Sequence, residues 1–355
     1  MIRSFQVLLF FVLVFRAFYL PAQQSENKEK ADYKNSCLFN SITPIDIEIY
    51  VNKKDLLQDI GDDQAYHHTL IKYTDSLGVI NELNFKISTR GHFRKDPANC
   101  KLPPLKLKIP KEVSQSDNLF EGQNKIKLVL PCFAENKKYS ECLVLEYLTY
   151  KTYELFTENS YKTRLVNIVI ADSANKKNKQ NVMGFFLEET DQMAQRNKGK
   201  VIKFKRFHPE NVDRNQMTML AVFQFMVGNT DWSVDVQHNI DLLFIENQTT
   251  PVAVPFDFDW SGIVDAPYAI PQPNLNIISV KERLFRGYER SAEEFTPVIK
   301  LFNDKKEEIY QLYKNCNWLS EKTRNNTIKY LDDFYEVIND PKKVQKEFIN
   351  NCRKL

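Results

Sequence analysis

Asp257 and Asp259 stand one residue apart in "PVAVPFDFDWSG" (251–262), at the mouth of an apolar run and against Trp260. An ionised carboxylate is costly to bury and two neighbouring ones repel, so the pair makes physical sense beside a cation. Upstream, in "GNTDWSVDVQHNIDLLF" (228–244), Asp231 is followed eight positions on by Asn239, and Asp257 lies eighteen further. A loop aspartate, an asparagine entering a strand and an aspartate closing the next strand follow the order of a phosphoryl-transfer site. There the first acid orients an attacking hydroxyl, while the amide and the last acid hold magnesium on the phosphates. One or two carboxylates with an amide suffice for that ion, because phosphate and water complete the octahedron. This reading makes Asp231 the catalytic residue and Asp257 and Asn239 metal ligands, with Asp259 behind Asp257 or on a second metal.

Such a site needs cations for the phosphates. In "LPPLKLKIP" the alternation puts Lys106 and Lys108 on one face and Leu105, Leu107 and Ile109 on the other, so either lysine could reach a phosphate. Glu188 in "GFFLEETD" is the expected acidic partner of that lysine. Arg90, ending a strand beside Gly91 in "STRGHFRK", adds positive charge. His238 next to Asn239 reads as a packing histidine, and Trp232 and Trp260 as core residues or as a stacking surface for a base.

The elements that must position these residues change character along the chain. From "PIDIEIYV" to about residue 110, period-two alternation predicts an antiparallel sheet with one wet face. "NKIKLVLP" adds a strand, "SECLVLEYLTYKTYELF" an amphipathic helix, and "RLVNIVIADS" with "VMGFFLEETD" a hairpin. "RNQMTMLAVFQFMVGN" is an apolar helix stopped at Gly228-Asn229, and the last ninety or so residues read as helices. The predicted class is α+β: a strand-rich lobe over 44–210 and a helical lobe over 211–355, with the acids at their junction.

Residues 1–22, with Arg3 ahead of an apolar run and Leu20-Pro21-Ala22 at its end, read as a secretory signal peptide, and 23–43 as a polar linker. The run is too short to span a bilayer, so no stable membrane span is expected after cleavage. The expected location is periplasmic, cell-surface or secreted. Six cysteines in an exported chain permit up to three disulfides; Cys316–Cys352 and Cys132–Cys142, each joining neighbouring elements, are the expected pairs. With 49 basic against 46 acidic residues, nothing points to a nucleic-acid partner.

The ordered set of stretches resembles the CotH family of spore-coat and surface-exported protein kinases. The resemblance runs from about residue 45 to 265 through "STRGHFRK", "LPPLKLKIP", "NKIKLVLP", "NVMGFFLEETD", "GNTDWS…HN" and "PFDFDWSG". It implies a divergent protein-kinase-like two-lobed fold and ATP-dependent phosphorylation of a protein or other hydroxyl acceptor with Mg²⁺. Asp231 would match the catalytic-loop aspartate and Asp257 the metal-binding one. The chain departs from the family pattern in having "HN" where paired asparagines are more usual, and it carries no GxGxxG phosphate loop. A non-catalytic surface or adhesion module of the same fold is the competing reading. A metal-dependent hydrolase using Asp231, Asp257 and Asp259 is disfavoured by the scarcity of histidine nearby. Mass spectrometry of the natively produced chain is expected to find an N-terminus near Gln23; an intact Met1 would contradict the export reading.

Overall fold

Alternation of apolar and polar residues builds the first half of the chain. β1 (Ile45–Val51), β2 (His67–Thr74), β3 (Ile80–Thr89), β4 (Leu105–Lys108), β5 (Lys125–Val129), β6 (Thr163–Asp172) and β7 (Lys179–Leu187) turn every second side chain inward, as Ile45, Ile47, Ile49 and Val51 do in β1. The structure is a computed structural model, and it describes residues 38–354 apart from Asp62 and Lys176. The expected signal peptide, most of the expected linker and Cys37 lie outside the described residues.

The strands do not form the open sheet with one wet face that alternation suggests. They close into a barrel in the order β1-β2-β3-β4-β5-β7-β6. Every pair is antiparallel except the one that closes it, β1 with β6, which is parallel from Ile45 opposite Val166 to Val51 opposite Asp172. Closure removes both sheet edges and seals an interior of Ile71, Phe85, Ile87, Leu107, Ile126, Leu128 and Phe186, each almost fully buried. Short helices α1 (Lys53–Gln58) and α2 (Lys111–Ser114) fill connections.

A second apolar core lies outside the barrel. Its centre is α3 (Lys137–Glu154), in which every residue from Glu141 to Tyr150 is buried. The expected amphipathic helix is therefore enclosed on all sides, because barrel strands cover one flank and the later helices the other. α4 (Thr190–Arg196) and β8 (Gly199–Val201) lead to α5 (Arg214–Met226), also nearly all buried, and then to β9 (Ile240–Ile245) and β10 (Val252–Pro255), which with β8 form a three-stranded sheet in the order β10-β9-β8. α6 (Ala292–Asp304), α7 (Lys306–Lys314), α8 (Glu321–Ile338) and α9 (Pro341–Val344) complete the chain. The fold is thus mixed α and β, strand-rich first and helical last. No helix among the described residues is long and apolar enough to cross a membrane.

The disulfide differs from both expected pairs. Cys100 bonds Cys132, with Cα atoms 4.5 Å apart, while Cys142, Cys316 and Cys352 are free thiols. The barrel decides this: the backbone amides of Lys101 and Leu102 both donate to the carbonyl of Cys132, so the loop after β3 lies against the end of β5. The bond closes a separation of 32 residues, which in the chain-entropy account contributes about 3–4 kcal/mol. The double variant Cys100→Ser/Cys132→Ser is expected to lose stability of that order in urea unfolding, whereas Cys316→Ser should leave the disulfide intact by thiol titration.

Candidate functional site

The β9–β10 pairing sets the geometry of the acids. Pro255 pairs with Ile240, so Asn239 just before β9 and Asp257 just after β10 emerge at the same end of the sheet. The amide of Phe256 donates to the carbonyl of Asn239 at 3.1 Å, which closes that end. Both residues take the left-handed conformation, with φ of 52° for Asn239 and 63° for Asp257. Asn and Asp tolerate it better than other side chains, and here it ends each strand abruptly. A continued strand would put Asp257 and Asp259 on one face; the turn separates them, leaving Asp257 exposed and Asp259 only 4% exposed.

Asp231 reaches the same place by another route. α5 stops at Gly228, whose φ of 65° and lack of Cβ let the Tyr330 hydroxyl lie where a side chain would stand. The amides of Gly262 and Ile263 then donate to the carbonyls of Gly228 and Val227, tying the segment after Asp259 to the loop carrying Asp231. Asn239 Nδ2 donates to the Asp231 carboxylate at 3.1 Å and to its backbone carbonyl at 2.9 Å. His238 Nε2 lies 2.9 Å from the other carboxylate oxygen, to which Gln272 Nε2 also donates. Burial works to raise the Asp231 pKa, but the hydrogen bonds of His238 and Gln272 and the charges of His238 and Arg286 outweigh it and hold the carboxyl below its ordinary value. The same hydrogen bond raises His238 above the usual histidine value, against its partial burial. His238 is therefore not a plain packing residue: it is half exposed and paired with Asp231.

Behind Asp257 lies a buried charge cluster of which sequence reasoning found only Asp259. Its carboxylate accepts from the Tyr268 hydroxyl at 2.8 Å, and Arg94 Nη1 is 3.8 Å away. Glu146, on α3, shares a small cavity with Arg94, Asp259 and Tyr268. Burial, then the charge of Asp259 and after it that of Asp257, pushes Glu146 upward, and burial, then the charge of Asp257, pushes Asp259 upward. One turn along α3, the Tyr150 hydroxyl accepts the Asp257 amide at 2.8 Å, so this helix fixes the backbone of the exposed aspartate. The legible signal was an acid inside the apolar run "CLVLEYLTY", four residues before a tyrosine.

The expected lysine–acid pairing needs correcting. Glu188 is not the partner of either lysine; Arg196 takes its carboxylate with two bonds of 3.0 Å, and the Lys162 amide donates to it as well. The acid at the lysines is the next residue, Glu189, 3.1 Å from Lys106 Nζ and 3.9 Å from Lys127 Nζ. β7 ends at Leu187, and the chain then turns into α4, which sends the two glutamates to different surroundings. Lys106 and Lys127 sit directly opposite each other on β4 and β5, an arrangement that repels without an acid between them. Burial lowers the pKa of Lys127, Glu189 opposing. Lys108 lies apart, over the ring of Tyr66. Arg90 is within electrostatic reach of Lys127 on one side and of Glu146 and Tyr150 on the other, and its Nε is buried with no hydrogen-bond partner among the described residues. Trp232 is wholly buried, and Trp260 packs edge-on against Phe93.

The site thus brings Asp231, His238, Asn239, Asp257 and Asp259 together, with Arg90 bridging toward Lys106, Lys127 and Glu189, and leaves Lys108 and Glu188 out. An amide and an exposed carboxylate side by side suit a hard cation carrying phosphate. Among the described residues no three or more His, Cys, Asp or Glu side chains form a metal-binding group by themselves. No protein-family model matches the chain, and no curated protein matches it. Among solved structures it is similar to the crystal structure of a Helicobacter pylori proinflammatory kinase, CtkA, at 12% identity and a TM-score of 0.35, over 60% of this chain and 86% of that chain.

The ion pair makes a pH prediction. Because Asp231 favours the protonated imidazole, His238 should lose its proton at a higher pH than free histidine; the charged pair is complete below that range and lost as pH rises through it. An NMR titration should show the raised midpoint, and Asp231→Asn should bring it down. An unchanged midpoint in the variant would remove the pairing.

Proposed function

We propose that the chain is an exported kinase-like phosphotransferase, moving the γ-phosphate of ATP to a hydroxyl acceptor, in the first place on a protein, with Mg²⁺. The observation that carries the reading is the coincidence of Asn239 and Asp257 at one end of the β9–β10 pair, with Asp231 bonded to the same asparagine. The two-lobed kinase-like architecture and the resemblance to the CotH family belong to this reading. The Cys100–Cys132 bond supports the export part, since disulfides persist in oxidising compartments.

In this reading Asp257 and the side-chain oxygen of Asn239 would hold magnesium on the phosphates. Asp259, buried and bonded to Tyr268, acts through the position of Asp257 and not as a second ligand. Asp231, held ionised by its donors, orients the acceptor hydroxyl and draws its proton. Arg90 and Lys106 supply positive charge to the phosphates, and Lys127, on the strand preceding α3, joins them; Glu189 keeps both lysines in place. Magnesium, when bound, would supply screening of the charge on the phosphate oxygens; the residues of the chain supply positioning and electrostatics.

The test is thermal unfolding and ATP turnover with and without Mg²⁺. Asp257→Asn removes an exposed charge that repels Asp259, so unfolding should occur at an equal or slightly higher temperature while Mg·ATP no longer stabilises the protein. Asp231→Asn should keep nucleotide binding and lose turnover by about 10²–10⁴-fold, the usual weight of a positioned acid–base group. A wild-type protein indifferent to Mg·ATP, or an Asp257→Asn variant that binds it as well as wild type, would replace this reading with the non-catalytic surface module.

A further inference from the structure

On the far side of the Asp231 loop two arginines stand together without a carboxylate of their own among the described residues. Arg286 and Arg353 are each half-buried, and neither forms an ion pair with an acid among the described residues. The carboxylate closest in influence to Arg286 is Asp231, whose oxygens already serve His238, Asn239 and Gln272. Asp235, the other acid of the loop, is held by Arg206 at 2.7 Å. Arg286 Nε and Nη1 are enclosed and bond to nothing among the described residues, and the same holds for Trp232 Nε1.

The backbone keeps this arrangement in place. The amide of Arg353 donates to the carbonyl of Gly287 at 2.8 Å, and Tyr288 forms a parallel bridge with Arg353. The Arg353 guanidinium lies 5.6 Å from the rings of both Trp232 and Tyr288, and its Nη1 donates to the Tyr288 hydroxyl at 3.3 Å. A chain that clips two arginines side by side accepts both their repulsion and orphaned donors, which are costly to leave unpaired. Burial and the charge of Arg353 lower the pKa of Arg286 to about 10.

We propose that Arg286 and Arg353, over Trp232, form a binding site for a phosphate monoester carried on a protein segment. A tetrahedral oxyanion supplies the missing charge and the missing acceptors at once, and guanidinium forks match its oxygens in pairs. The neighbourhood favours a polypeptide source over free phosphate. Val236, Ile202 and Phe204 are large apolar side chains 49%, 41% and 39% exposed. Gln237 joins their segments through bonds to the Phe204 amide and the Ile202 carbonyl, so an apolar shelf borders the loop that holds Asp231. The site goes beyond the proposed transfer chemistry: it would let a segment already bearing one phosphate dock beside the acid that receives the next hydroxyl.

The experiment is fluorescence anisotropy on the full chain, without nucleotide or Mg²⁺, so that its outcome is separate from that of the phosphotransfer reading. The probes are a labelled degenerate phosphoserine peptide pool and the same pool dephosphorylated, with inorganic phosphate as competitor. The phosphorylated pool should bind at least tenfold tighter; Arg286→Gln and Arg353→Gln should each abolish that preference, and Arg286→Lys should keep part of it. Arg353→Gln carries the test if Arg286→Gln does not fold, as judged by thermal unfolding. Equal binding of the two pools, or an undiminished preference in a folded Arg353→Gln variant, would overturn the site. Displacement of the peptides by inorganic phosphate at concentrations matching theirs would overturn the polypeptide source.

Discussion

One guanidinium holds the centre of the molecule together. Arg94, in the loop after β3, is enclosed between Asp259 and Glu146, and it also donates to the carbonyl of Leu130 at the end of β5. Burial works against its charge, but Tyr268, Asp259, Glu146 and Asp257 more than offset that and stabilise the cation. Two carboxyls against one arginine are too many negative charges for a dry site, so burial and repulsion keep the acids protonated further up the pH scale than usual. Removing Arg94 would leave those acids without their cation, a change that costs far more than a surface pair would.

That constraint explains the shape of what surrounds it. Glu146 can occupy the cluster only because α3 is buried all round, and α3 is buried because the closed barrel and the later helices meet on it. The same helix, through Tyr150, grips the backbone of Asp257. An exposed aspartate is thus fixed from behind by a buried polar group, while its own carboxylate stays open to solvent and to any cation that arrives. Rigid elements hold the backbone, and the charge remains available, which is how a binding constellation keeps its geometry.

The basic side of the site obeys the same economy of charge. Two lysines opposed across β4 and β5 would push the strands apart; Glu189 between them converts repulsion into a fixed cationic edge. Arg90, one residue beyond β3, lies on the continuation of that edge and faces the acidic cluster. Opposite charges are therefore gathered on two sides of one place, neither side neutralising the other completely. At Arg286 and Arg353 the imbalance is positive and stays on the far side of the Asp231 loop.

By itself the sequence determined the elements and the order of the candidate acids along them. Period-two alternation reports which residues of a strand share a face, so β1 to β7 and the face of Lys106 were legible, as were α5 with its Gly228 stop and the order Asp231, Asn239, Asp257. What periodicity does not report is the partner. The parallel β1–β6 closure joins segments some 120 residues apart, and the pairing of β3, β4 and β5, with the Lys101 and Leu102 amides on the Cys132 carbonyl, puts Cys100 against Cys132. Nor does it report what a chain does in the one residue after a strand. The turn beyond Leu187 gave the lysines Glu189 and not Glu188, and the left-handed turn at Asp257 sent Asp259 inward to Arg94 and Tyr268. Glu146 left only the trace of an acid in an apolar run, and Arg94 none, for the same reason: their roles come from charges that meet across distant segments in a dry interior, where only the tertiary structure decides which cation a buried acid finds.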